Sequence, residues 1–178
     1  TQGQGKYTSH WLPSFDDVNE KVIFNISIID NIKYKVISNG KKSNSLPKGI
    51  IMTFNRNSKS VDITHFQMQK PMSSYLVMLA IGNFVKKEDK SISGTPLEFY
   101  LDAKDYDNFE STYKNSKEMF DYLEQEIGVR YPWEIYRQIP VRDFLYAGME
   151  NTTSTIFSQD FVVDEIGFND KKYMNVNA

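Results

Sequence analysis

The alternation of apolar and polar side chains changes period midway along the chain. Over Lys21–Ile29, Val22, Phe24, Ile26 and Ile28 fall at every second position, the pattern of a half-buried strand. Tyr34–Ile37 reads as a second strand, ended by the strong turn dipeptide Asn39-Gly40. Residues 41–49 are polar, contain Pro47 and read as a loop. Ile50–Phe54 and Asp62–Phe66 are strand-like runs, and the polar stretch Asn55–Ser60 between them predicts a hairpin with a longer loop. Met72–Val85 is the most apolar stretch and reads as a central strand with Gly82 near its end. Short strands at this spacing predict a β-rich first part, a sandwich or open antiparallel sheet.

Lys86-Lys87-Glu88-Asp89-Lys90-Ser91 breaks the apolar pattern, and Gly94-Thr95-Pro96 follows. This run reads either as an exposed hairpin tip or as a domain boundary, with 1–95 and 96–178 as the two parts. After Leu97–Leu101, which alternates once more, Phe109, Tyr113, Ser116, Phe120, Leu123 and Ile127 recur at steps of four and three. That spacing predicts an amphipathic helix with its aromatic stripe in the core. Asp107 with Glu110 fits the start of the helix, and Gly128 stands where a helix-ending glycine belongs. Pro132 and Pro140 punctuate the next stretch, and residues 153–163 return to β-branched and aromatic side chains. The second part is therefore α+β in character.

Composition narrows the chemistry. The chain has 178 residues, 40% of them hydrophobic, which suffices for a real core. With no cysteine, disulfide scaffolds, thiolate metal sites and cysteine nucleophiles are excluded. A net charge of -2, with arginine only at Arg56, Arg130, Arg137 and Arg142, argues against a nucleic-acid partner. No apolar run approaches the roughly 20 residues of a membrane-spanning helix. The two histidines, His10 and His65, lack helical ligand spacing, so a zinc site built on them alone is disfavoured. Asp16-Asp17 reads as a turn or cap pair, because adjacent residues of an extended chain point apart. Neither a phosphate-binding glycine loop nor a nucleophile elbow is present.

One cluster stands out, Tyr146-Ala147-Gly148-Met149-Glu150-Asn151-Thr152. A glycine permits close approach to the backbone, and a carboxylate follows two positions later on the same strand face. On spacing alone this is equally an edge-strand glycine beside an exposed glutamate. The segment is, however, similar to the Gly-x-Met-Glu-Asn motif of the aminopeptidase N family of zinc metallopeptidases, which includes the leukotriene hydrolases. Gln2-Gly3-Gln4, followed by Pro13-Ser14-Phe15-Asp16, resembles that family's Gln-x-Gln or Gln-x-Glu segment leading into Pro-x-x-Asp. The gap of about 145 residues between the two motifs fits as well. Tyr131-Pro132-Trp133 resembles the family's Tyr-Pro-aromatic stretch after a helix. One departure concerns the glycine: the family usually has it at the position of Ala147, and here Gly148 takes the place of the common alanine. Backbone access then shifts by one residue, which makes the site a variant and not a disabled one.

The resemblance implies a β-rich part, residues 1–95, from the end of the family's N-terminal domain, and the α+β start of a thermolysin-like catalytic domain, residues 96–178. It implies zinc in the full-length enzyme, held by a His-Glu-x-x-His helix and a further glutamate. That motif is absent from these residues, and 173–178 look like the approach to its first histidine, so the chain alone is expected to bind no catalytic zinc and to be inactive. What it is expected to keep is the grip on the substrate's amino terminus. Glu150 would accept the ammonium with help from Gln2 and Gln4, Gly148 and Met149 would offer backbone groups, and Tyr146 would line the first side-chain pocket, next to Ala147 and Asn151. The implied partners are peptides with a free N-terminus and the remainder of the catalytic domain. Two other readings stay open: a non-catalytic scaffold or peptide-binding member of the same fold, and an unrelated β-rich interaction domain.

Overall fold

The computed structural model describes residues 3, 5–31, 33–43 and 61–170 and separates into two units, Thr1–Asn83 and Phe84–Ala178. In the first, the strands are Lys21–Val22 (β1), Asn25–Asn31 (β2), Lys35–Ser38 (β3), Lys41–Ser43 (β4), Val61–Gln67 (β5), Met72–Ser73 (β6) and Leu79–Gly82 (β7). All their pairings are antiparallel: β1 with β6, β3 with β7, and β5 between β2 and β4. Phe24, Ile26 and Ile28 are half-buried while Asn25, Ser27 and Ile29 are exposed, the alternation of a half-buried strand.

Three readings of this unit change. The strand expected over Lys21–Ile29 is two strands with different partners: Phe24 C=O still accepts Met68 N–H at 3.0 Å in the β2–β5 register, and the register shifts before Lys21–Val22 pair with Met72–Ser73. Met72–Val85 is not one central strand. Ser73 and Ser74 donate their hydroxyls to the Val18 and Phe15 carbonyls, each at 2.6 Å, and the chain turns through a 3-10 segment, Ser74–Leu76, before β7. Lys41–Ser43, expected as loop, forms β4; the rest of that loop, Ile50–Phe54 and Asn55–Ser60 lie outside the described residues.

The Asn39-Gly40 turn joins strands of two different sheets, not the arms of one hairpin. Asn39 is fully buried, its amide donating to Leu76 C=O at 2.9 Å and accepting Met78 N–H at 2.7 Å. Gly40 has φ +84°, and a Cβ there would stand 2.4 Å from the Gln67 carbonyl oxygen. Gly40→Ala should therefore destabilise the protein by about 1–2 kcal/mol from the left-handed backbone alone, with the backbone clash in addition. A thermal midpoint unchanged by this substitution would contradict the turn geometry.

In the second unit a five-stranded sheet runs in the order β11-β12-β10-β9-β8. Its strands are Phe84–Lys90 (β8), Pro96–Asp102 (β9), Tyr136–Val141 (β10), Gly148–Met149 (β11) and Ser154–Ser158 (β12). β10 lies parallel to β9 and β12, and the outer pairs are antiparallel. The charged run at 86–90 is neither a linker nor a hairpin tip; it is the edge strand β8, where lysine and glutamate discourage pairing with another chain. The tip follows it, with Gly94 N–H on Ser91 C=O at 3.0 Å. The two units divide between Asn83 and Phe84, so the β8–β9 hairpin stays whole, whereas the composition change pointed to 95/96. Pro140 sits inside β10 instead of ending it. By alternation its ring nitrogen points towards β9, whose pairing with β10 stops at Gln138, so no ladder bond is lost.

The predicted helix exists in two pieces, Phe109–Tyr113 (α1) and Ser116–Ile127 (α2), after a 3-10 segment at Ala103–Asn108. Asp107 makes no cap; the capping carboxylate is Asp102, which accepts Lys104 N–H at 3.0 Å. Gly128 ends α2 at φ +70°, its N–H on the Glu124 and Gln125 carbonyls. Phe109, Tyr113 and Phe120 pack on Leu97, Phe99 and Leu101 of β9, with the Phe99 and Tyr113 rings stacked at 4.8 Å. Burying each such side chain contributes about 1.5–3 kcal/mol. Leu123 and Ile127, at the far end of the same stripe, are exposed. A further helix, Glu165–Asp170 (α3), follows β12.

Candidate functional site

Among the described residues β11 is the outermost strand of the second unit's sheet, and it carries the segment singled out in the sequence. Ser158 N–H donates to Ala147 C=O at 2.9 Å, so Ala147 and, by alternation, Met149 turn their backbone groups towards β12. The N–H and C=O of Gly148 then point to the open edge. Met149 is buried, its register partner being Ile156, while Gly148 and Glu150 fall on the other side of the strand. Glu150 is exposed, as are Tyr146 and Ala147, and Asn151 is buried, its carbonyl accepting Ser154 N–H at 3.0 Å. The tight spot is at position 148: a Cβ there would meet Phe157 Cδ1 at 3.2 Å and Ile156 O at 3.3 Å. That accounts for a small residue at 148, with alanine accommodated next door. Gln2 and Gln4 lie outside the described residues.

The segment is held at both ends by arginine. Before it, Arg142 donates to Asp102 at 3.3 Å and to Asp105 at 3.2 Å, and Gln159 also donates to Asp105, at 2.6 Å. After it stands a ladder of register neighbours across three strands, Glu98 on β9, Arg137 on β10 and Ser154 on β12. Arg137, only 2% exposed, donates Nε to Glu98 at 2.5 Å and an Nη to Ser154 Oγ at 3.3 Å. Glu98 also accepts from Lys86 and from the Tyr100 hydroxyl, each at 3.0 Å.

Two stretches of the chain match known protein families: residues 1–76 the Peptidase M1 N-terminal domain, and residues 111–177 the Peptidase family M1 domain. The chain belongs to the aminopeptidase N (M1) family. It is 32% identical to the glutamyl aminopeptidases of Sus scrofa over 142 residues and Mus musculus over 139, in both cases across 78% of this chain. It is 23% identical over its whole length to a probable aminopeptidase 1 of Sulfurisphaera tokodaii. The chain spans 14% of the length of the two mammalian relatives and 21% of the third.

Peptidases of the M1 family depend on zinc. Among the described residues of this M1 chain there is no group of three or more histidine, aspartate or glutamate side chains that fits a metal ion. His65 is buried in β5 with Nδ1 2.7 Å from Ser27 Oγ, and His10 lies exposed beside the Tyr7 ring. Asp17 accepts the Asn19 N–H two residues on, a local turn as expected, whereas Asp16 reaches back to accept the Ser9 N–H and hydroxyl. No described helix is long and apolar enough to cross a membrane. A groove of about 690 Å³ between β8 and helices α1 and α2, floored by Phe99, Phe109 and Tyr113, does not reach the Tyr146–Asn151 segment.

The residues that sequence reading missed are Glu98, Arg137 and Ser154. The one available signal was a lone arginine between Ile135 and Ile139 in a strand-like run, since a buried charge requires a partner. Burial pushes the Glu98 carboxyl up, but the charge and hydrogen bond of Arg137, then Lys86, outweigh it and hold the pKa below the ordinary value. A carboxylate so depressed stabilises the fold above its unfolded-state pKa, and that contribution is lost as pH falls through the folded value. Stability to denaturant should thus drop as pH falls below about 4.3, more steeply than in a Glu98→Gln variant. Equal slopes in the two proteins would reject the assignment.

Proposed function

We propose that this chain is part of a zinc-dependent aminopeptidase that removes residues from the N-termini of peptides, and that it supplies the clamp for the substrate's amino group. The observation that supports this most is an exposed carboxylate, Glu150, two positions after a glycine whose backbone groups face an open sheet edge. A free peptide amine has a pKa near ~8 and is largely cationic at neutral pH. On losing water in a site it requires a carboxylate partner, and Glu150 serves as that partner; the family resemblance alone assigns Gln2 and Gln4 as further hydrogen-bond acceptors for the ammonium. The first substrate residue lies along the edge, with Gly148 alongside its backbone, Tyr146 against its side chain and Ala147 flanking; Met149, expected to offer backbone groups as well, turns them to β12 instead, and it and Asn151 are buried and back the strand.

Fixing the amine fixes which peptide bond reaches the reacting centre, and this selects cleavage one residue from the end. Zinc, when bound in the full-length enzyme, supplies the polarising charge on the scissile carbonyl. On this reading the metal ligands lie outside residues 1–178, which span the end of the family's N-terminal domain and the start of its catalytic domain. The proposed change of domain at 95/96 lies in the stretch that neither family match covers, between residues 76 and 111. The test is Glu150→Ala in the full-length protein: activity falls while zinc content holds, and unchanged activity would overturn the clamp.

A further inference from the structure

The turn that follows Glu150 is strained. Thr153 has φ +68°, a left-handed conformation that a β-branched residue adopts only when its surroundings impose it, at about 1–3 kcal/mol. Thr153 is buried, so bulk water does not stabilise the turn. One residue reaches it in two ways. The backbone N–H of Arg137 donates to Thr153 C=O at 2.9 Å, and its guanidinium donates to Ser154 Oγ. The same guanidinium is held from the opposite side by Glu98, which Lys86 and Tyr100 hold in turn. A planar group with donors on several edges serves both neighbours at once; a lysine ammonium lacks that fork. The strand pairing brings Glu98, Arg137 and Ser154 into register, so the ladder runs from β9 through β10 to the hairpin that joins β11 to β12.

We propose that Arg137 is the positioning residue of the amino-terminus clamp: by locking the 151–154 turn to the central strand it sets the place of Glu150 relative to the sheet edge. This rests on the reading of Glu150 as the clamp. Arg137 touches no substrate; it acts through the turn. A residue that works only by placing another loses its effect once that other is gone, whereas one that merely supports the fold does not.

The experiment is a double-mutant cycle in the full-length, zinc-loaded protein, with kcat/KM measured on a peptide substrate with a free amino group. Arg137→Met should reduce kcat/KM at least 10-fold in the native background and less than about 3-fold in Glu150→Ala. Ser154→Ala, which removes only the contact to the turn, should show the same non-additivity on a smaller scale, and it keeps the cycle readable if Arg137→Met does not fold. Reductions that multiply in both backgrounds would overturn the proposal. An unaffected Glu150→Ala protein would instead refute the clamp itself, and this inference with it.

Discussion

Replacing Glu150 with alanine in the full-length protein should lower kcat/KM for peptides with a free N-terminus by about 30-fold to several thousand-fold. That range corresponds to about 2–5 kcal/mol of transition-state binding, the usual loss when one partner of a desolvated charge pair is removed. Metal content and thermal stability should stay unchanged, since the Glu150 side chain is exposed at the sheet edge. Glu150→Gln separates charge from shape. It preserves the size and one acceptor but removes the negative charge, so it should recover only a small part of the activity. Full recovery in the glutamine variant would mean that the residue acts by hydrogen bonding alone.

The second large effect concerns stability. Glu98→Ala should destabilise the fold by about 3–5 kcal/mol, because it leaves the Arg137 guanidinium buried without its anion. At roughly 2–4 °C per kcal/mol for a protein of this size, the midpoint falls by about 6–20 °C. Glu98→Gln should cost less, since an acceptor for Nε remains. Replacing both partners, Glu98→Leu with Arg137→Met, should be more stable than Glu98→Ala alone, because neither charge is then left buried. A double variant no more stable than the single one would show that the loss arises from packing and not from the orphaned cation.

Much of the local structure was legible because it depends on neighbours in sequence. Gly128 ends its helix as the pattern required, since a left-handed residue after an amphipathic run is a local necessity. The half-buried alternation of Phe24, Ile26 and Ile28 appears as read. The Phe109–Ile127 stripe supplied the core at its first half but not its second. Leu123 and Ile127 have the right period but lie beyond the reach of β9. Strand boundaries were less legible, because they depend on partners remote in sequence. The Ser73 and Ser74 hydroxyls reach carbonyls 55 and 59 residues away, and the register shifts between the β2–β5 and β1–β6 pairings. The charged run at 86–90 misled for a related reason: a solvated edge strand and a solvated loop have the same composition, and only pairing with β9 distinguishes them.

By itself the sequence determined the β-rich and α+β halves, the family, and the motif with the carboxylate at position 150, because these are recorded in residue type and order. It carried no record of which strand lies at the edge, which way the backbone of Gly148 turns, or that Glu98, Arg137 and Ser154 share one rung. Those facts are products of strand order. Residues 39 and 17 positions apart become neighbours only when β9 and β12 flank β10, and no local periodicity encodes that choice.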